Sequence, residues 1–330
     1  MRRSTIGVLV LTVTVSSGCL LLPSTFSTRA STNPVDFFGH TITVDWADPA
    51  AVPIGTDQAQ VFTTKNFFGN VPSWQTDLRT GGQVGLHDAL PALPSWTNGD
   101  LVWAPSVRWL DGRYVMYYSA SRAGGANCIG AAIAARADVA FSPVDVHWCG
   151  GVDAGLLDPY VFLDPAGAPF LLMSVQVARD GGSFIASQRL SANGFGFEDP
   201  ARVLMTFAEA RALAGGGPLG SSAFVENPSV VADPYNGYDV MASVGTWNEA
   251  GAYQGVEEPC LGIAFRASPC LPANGGRFVL DGAYHPGSLS MLRDGGPDGN
   301  YAFFGQLSGT PAARYRDVYV VASEAVRIKP

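Results

Sequence analysis

Five times along this chain a proline introduces an apolar, strand-like run: Ala47-Asp48-Pro49, Trp103-Ala104-Pro105, Leu157-Asp158-Pro159, Glu226-Asn227-Pro228 and His285-Pro286. The prolines recur every ~55 to 70 residues, a period that suits one four-stranded propeller blade and constrains the fold more than any local propensity does. Each is followed by a turn and a second apolar run. The second unit is the clearest, with Val107-Arg108-Trp109-Leu110, the tight-turn dipeptide Asp111-Gly112, and then Arg113-Tyr114-Val115-Met116-Tyr117-Tyr118-Ser119. The third unit turns at Asp164-Pro165-Ala166-Gly167, the fourth at Asn236-Gly237 and the fifth at Asp298-Gly299. A β-sandwich with evenly spaced turns is the plainer alternative, but sandwich strands seldom bring back the same proline and turn together at so long a period. The expectation is an all-β, five-bladed β-propeller over residues 37–330.

Composition fits one large buried β domain, since 47% of the 330 residues are hydrophobic and only 15% charged. No linker divides the chain. The nearest candidate, residues 208–222, reads as a short helical run followed by glycines, inserted before the fourth unit. The net charge of −8 and the lack of Lys/Arg clusters argue against a nucleic-acid partner and against an anionic lipid surface.

The N-terminus reads as an address. Arg2 and Arg3 precede an apolar stretch, residues 6–15, too short to span a bilayer, so residues 1–18 are expected to be a signal peptide. Ser16-Ser17-Gly18-Cys19 resembles a bacterial lipobox, with Ser16 where Leu is usual. Cleavage before Cys19 would give a lipid anchor there, with residues 19–36 as tether; ordinary cleavage further on is the alternative. Either way the protein is expected to be exported, extracellular or membrane-anchored. The other cysteines, Cys128, Cys149, Cys260 and Cys270, form an even set that suits an oxidising compartment. Of three pairings, proximity favours Cys128 with Cys149 and Cys260 with Cys270. No C-x-x-C or H-x-x-x-H spacing supports zinc.

First strands of propeller blades line the central axis, so Asp48, Asp158 and Glu226 are expected to converge although far apart in sequence. Three carboxylates there repel one another and are costly to desolvate, a cost met more readily for chemistry than for packing. Carboxylates whose pKa values are split apart are what glycosidic cleavage requires. For Asp48 or Asp158 singly, a turn cap is the plainer role.

The ordered set of motifs, closing with Tyr284-His285-Pro286-Gly287-Ser288, resembles glycoside hydrolase family 43, a family of five-bladed propeller arabinofuranosidases, arabinanases and xylosidases. The resemblance runs from about Phe37 to the C-terminus. It implies Asp48 as general base, Glu226 as general acid and Asp158 as the carboxylate that raises the acid's pKa and orients it, with inversion at the anomeric carbon. Asp45 is the rival base. It also implies an arabinose- or xylose-containing carbohydrate as substrate and no cofactor for the chemistry. His285 is either a hydrogen-bonded core residue or part of a structural calcium site. Trp103, Trp46 and Trp247 are candidate sugar platforms, with Phe67, Phe68 and Trp74 at the rim and Arg314 and Arg316 as further candidates to meet substrate hydroxyls. Two departures stand out. Ser106 replaces the Asp of the family's Trp-Ala-Pro-Asp, and Gly55-Thr56-Asp57-Gln58 replaces a clear first hairpin. A non-catalytic sugar-binding propeller lipoprotein is therefore the second functional expectation. A monomer is expected.

Overall fold

Alternation along single strands decides where the core lies. In β7 (Arg113–Arg122), Met116, Tyr118 and Ala120 pack with buried residues of the preceding sheet, while Val115 and Tyr117 pack with those of the following one. In β11 (Pro169–Val177), Leu171 and Met173 face back and Phe170 and Leu172 face forward. A strand apolar on both faces belongs to a sheet with a neighbour on each side, which is the layering of a propeller.

The computed structural model describes residues 44–260 except 152–153, 178–181, 216–218, 221–222, 234–236, 248 and 250–251, together with residues 30–31, 34, 287–293, 300–310 and 313–322. Its strands form antiparallel sheets in chain order. The first contains β2 (Ala50–Gly55), β3 (Gln58–Phe62), β4 (Pro72–Asp77) and β5 (Gln83–Asp88). The second contains β6 (Thr97–Leu110), β7, β8 (Asn127–Ala134) and β9 (Ser142–Cys149). The third contains β10 (Ala154–Leu163), β11, β12 (Gly182–Arg189) and β13 (Arg202–Thr206). Next come β14 (Phe224–Asp233), β15 (Gly237–Gly245) and β16 (Tyr253–Cys260). The last sheet joins β17 (Gly287–Arg293), β18 (Asn300–Thr310) and β19 (Ala313–Ala322) to β1 (Ala30–Ser31). Innermost strands β2, β6, β10, β14 and β17 touch in succession, and β17 returns to β2.

The fold is thus an all-β propeller. Four of its sheets have the four strands expected of a blade, and β14–β16 has three among the described residues. Both ends of the chain build the last sheet: Ala30 and Ser31, inside the span read above as tether, pair with Val320 and Tyr319. The expected hairpin at Asp111-Gly112 forms with φ of 47° and 78°, the left-handed pair that a two-residue turn between twisted strands demands. The first hairpin does form, with Gly55 paired to Gln58 across Thr56-Asp57 and Asp57 supplying the positive φ of 57° that a glycine usually supplies, but its ladder slips between Pro53 and Gly55, so the expected irregularity is present. The turns expected at Asn236-Gly237 and Asp298-Gly299 lie partly or wholly outside the described residues.

The insertion before the fourth unit contains α1 (Phe207–Leu213). Thr206 caps it, and Glu209 returns the bond in a capping box. Ala210 is buried against the third and fourth sheets. Beyond the helix, Leu219 carbonyl accepts from Thr246 Oγ1 at 3.0 Å, and a Cβ on Gly220 (φ 81°) would sit 2.4 Å from that hydroxyl. Only glycine permits this approach.

Cys128 and Cys149 are bonded, across a sequence separation of 21, joining β8 to β9 as proximity suggested. Cys260 is also disulfide-bonded, and Cys270 lies outside the described residues. Replacing Cys128 and Cys149 together by Ser is expected to lower stability by about 3 kcal/mol, measured by urea unfolding, because the loop is then unconstrained in the unfolded chain.

Glu258 on β16 is 1% exposed, and its Oε2 has no hydrogen-bond partner among the described residues. Burial, then the nearby charge of Glu209, raise its carboxyl to about 7. Against an ordinary value of 4.5, folding retains a proton between pH 4.5 and 7, so stability is full below the unfolded value and falls as pH rises through the folded one. Glu258→Gln is expected to stabilise by about 2 kcal/mol at pH 8 and not at all at pH 4. Thermal unfolding of both proteins at the two pH values checks this.

Candidate active site

The proline repeat is a backbone device. Asp48, Ala104, Asp158 and Asn227 each precede the repeated proline, and each has a positive φ, at 51°, 45°, 52° and 52°. In β6, β10 and β14 the pairing slips there, so that Ala104-Pro105, Asp158-Pro159 and Asn227-Pro228 each face a single residue of the next strand. A bulge leaves one residue without a ladder bond, which suits proline's missing N–H. A left-handed non-glycine residue costs about 1–3 kcal/mol, and Ala104 has no polar side chain to offset it, so the surrounding fold imposes this shape. In β17 the slip falls between Gly287 and Ser290, at Ser288-Leu289. The His285-Pro286 motif is therefore out of register with the other four, and His285 lies outside the described residues.

Hydroxyls from the preceding sheet pin these bulges. Thr64 Oγ1 accepts from Ala104 N at 2.9 Å, and Ser119 Oγ accepts from Asp158 N at 2.8 Å. At the third junction a carboxylate takes the hydroxyl's place, as Asp158 Oδ2 accepts from Asn227 N at 3.0 Å. Asp158 is 8% exposed, so this charge-assisted bond is sheltered from water.

Counted from the prolines, Glu226 stands one residue ahead of Asp48 and Asp158, in the place of Trp103 and Leu157. Trp103, Leu157 and Glu226 line one axial cavity of about 640 Å³, joined there by Asp45, Asp48, Asp158, Asn227, Lys65, Gln176, Asn127, Trp247 and Glu249. The three sequence-predicted carboxylates are thus brought together. Thr64 Oγ1 donates to Asp48 Oδ2 at 2.6 Å. Asn227 Nδ2 lies 3.4 Å from Asp48 Oδ1 and 3.0 Å from Tyr253 Oη, which donates to Glu226 Oε1 at 2.9 Å. A chain of side-chain hydrogen bonds therefore connects Asp48 to Glu226 through Asn227 and Tyr253. Burial first, then the charges of Glu226 and Asp48, push the Tyr253 hydroxyl well above its ordinary range, so it stays a neutral donor at working pH.

The aromatic expectations divide. Trp103 lines the cavity, and Trp247, 46% exposed, does so from the loop between β15 and β16. Trp46 is a correction: it is fully buried, stacked on Phe68 at 5.6 Å and edge-on to Trp74 at 5.1 Å, with no face left for a sugar. Its Ala47 neighbour is buried too, so the chain before Asp48 packs inward. Trp74 is likewise core rather than rim, whereas Phe67 is 90% exposed. Ser106 faces away from the large cavity and accepts from Val161 N at 3.0 Å, joining the second sheet to the third. Its departure from the family's Asp leaves Trp103 on the cavity wall. Among the described residues, no group of three His, Cys, Asp or Glu side chains is placed to hold a metal ion.

Asn227, Tyr253, Thr64 and Ser119 were not singled out as functional from the sequence. Asn227 had a signal, being the repeat's pre-proline residue and of a type that tolerates positive φ. Tyr253 had none.

The site is thus a propeller's axial cavity that gathers hydrogen-bonded carboxylates between aromatic walls. The chain belongs to glycosyl hydrolases family 43, whose model matches residues 34–222. It is a glycoside hydrolase of that family. No curated protein matches the chain. Among solved structures it is similar to a thermostable family-43 glycoside hydrolase, with a TM-score of 0.68 and 18% identity over 88% of this chain and 91% of that one. An endo-arabinase from Bacteroides thetaiotaomicron VPI-5482 gives 0.67 and 16%, over 87% and 96%. An endo-1,4-beta-xylanase from the same organism gives 0.62 and 16%, over 84% and 90%. These likenesses carry the propeller fold.

Proposed function

We propose that the protein is an exported, inverting glycoside hydrolase that cleaves α-L-arabinofuranosyl or β-D-xylosyl linkages in plant polysaccharides or their oligosaccharides. The observation that carries this reading is the hydrogen-bonded chain that sets Asp48 and Glu226 at its two ends in one cavity. Asp48 takes a proton from water as that water attacks the anomeric carbon. Glu226 gives its proton to the departing oxygen, and the bond breaks through an oxocarbenium-like transition state. An acid and a base joined through two intervening side chains, rather than directly, leave room for the water that single displacement needs. Asp158 positions the acid by gripping the backbone of Asn227, and its negative charge favours the protonated form of Glu226.

Trp103 and Trp247 are the sugar platforms, and Lys65, Asn127 and Gln176 offer polar groups to hydroxyls. The names of the similar structures, an endo-arabinase and a xylanase, support arabinan- or xylan-type substrates. The sheet β14–β16, seated between third and last sheets, is read as a blade, which makes the propeller five-bladed. The Cys128–Cys149 bond and the apolar N-terminal segment support export, with Cys19 as lipid anchor.

Incubation with arabinan, arabinoxylan and the matching aryl glycosides, beside Glu226→Gln, tests this. Sugar release that the variant lacks is expected from at least one; silence on all, with oligosaccharides still bound, would replace hydrolysis by sugar binding.

A further inference from the structure

Tyr253 lies outside every motif that led to the site, yet its hydroxyl is the last link before the acid in the chain that joins base to acid. It is 7% exposed, stands at the head of β16, and pairs in register with Gly245 at the end of β15. A phenol has one proton. That proton goes to Glu226 Oε1 at 2.9 Å, while the oxygen accepts from Asn227 Nδ2 at 3.0 Å. Asn227 in turn is fixed at its backbone by Asp158 and reaches Asp48 with the same Nδ2. Ser243 also hydrogen-bonds the phenol, in the sense that favours its oxygen as acceptor, so the oxygen receives from Asn227 and Ser243 and the single proton runs on to Glu226.

We propose that Tyr253 is a positioning residue for the general acid, one that occupies Oε1 of Glu226 so that the proton delivered to the leaving oxygen is carried on Oε2. This rests on the roles given above to Glu226 and Asp48. A carboxylic acid whose two oxygens are equivalent spends part of its time with the proton turned away from the substrate. A fixed donor on one oxygen removes that choice without adding charge. The same donor favours the ionised carboxylate, so it opposes the upward influence of the neighbouring carboxylates. The titratable groups facing the tyrosine are Glu226 on β14 and Asp48 ahead of β2, with Asp158 acting on both through Asn227.

Tyr253→Phe keeps the ring and removes the hydroxyl alone. Expected is a fall in kcat/KM of about 30-fold on an oligosaccharide, whose leaving alcohol needs the proton, against less than about 3-fold on a dinitrophenyl glycoside, whose leaving group does not. The alkaline limb of the pH profile is expected to move up by about one pH unit, as the lost donor no longer stabilises the anion. Equal losses on both substrates with an unmoved pH profile would make Tyr253 a packing residue only and overturn the proposal. So would wild-type behaviour of the variant. If the native enzyme cleaves neither substrate, the hydrolase reading fails first, which separates the two failures. Thermal unfolding of the variant distinguishes a lost fold from a lost hydroxyl, and Asn227→Ala, which leaves the Tyr253–Glu226 bond, is expected to keep the difference between the two substrates close to that of the native enzyme.

Discussion

Glu226→Gln is expected to lower kcat/KM on oligosaccharides by about a thousandfold while leaving a dinitrophenyl glycoside within about tenfold of the native rate. The amide keeps the size of the side chain and can still accept from Tyr253, so the cavity is retained. What it lacks is a proton to give. A poor leaving group such as a sugar alkoxide depends on that proton, whereas a dinitrophenolate departs without it. The alkaline limb of the pH profile, which reports ionisation of the acid, should vanish in the variant. A kinetic series over leaving groups of graded acidity measures both effects, and a uniform loss across the series would assign Glu226 to binding.

Asp48→Asn is expected to be the more severe change on activated substrates, lowering kcat by at least about a thousandfold whatever the leaving group. Water must be deprotonated in every case. Asp48 accepts from Thr64 and sits within reach of Asn227 Nδ2. An amide would turn its own NH₂ toward one of these donors and lose that bond, so some local rearrangement is expected. The backbone should tolerate the exchange, because Asn adopts the positive φ that this position requires. The paired measurement is kcat on the oligosaccharide and the dinitrophenyl glycoside, with thermal unfolding to show that the propeller persists. Recovery on the activated substrate would exchange the roles of Asp48 and Glu226, and full activity would pass the base to Asp45.

The repeat was legible in the sequence because it is written in proline, whose demands on the backbone are strict. Pro105, Pro159 and Pro228 mark bulges that the fold repeats within its inner strands, and Asp48 before Pro49 shares the positive φ of the other pre-proline residues. Asp48, Asp158 and Glu226 were legible for the same reason, being written into those marks. The last sheet was misaligned, because its bulge at Ser288-Leu289 carries no proline and the nearby His285-Pro286 imitated the motif. Trp46 misled in a related way. Nearness in sequence to a bulge says nothing about which side of the strand faces the axis, and packing against Phe68 and Trp74 decided it. The first hairpin was legible as irregular, and its ladder does slip between Pro53 and Gly55, while Asp57 supplies the turn conformation in place of glycine. Tyr253 could not be found at all. Its role depends on a contact between β16 and the head of β14, which only the packed sheet creates.

The most direct test is the anomeric configuration of the first-formed sugar, followed by proton NMR from the earliest moments of hydrolysis, before mutarotation mixes the anomers. With Asp48 activating water and Glu226 protonating the leaving oxygen in one displacement, the product should appear first with inverted configuration. A first product of retained configuration would mean a covalent glycosyl-enzyme and would contradict the assignment of Asp48 as a base.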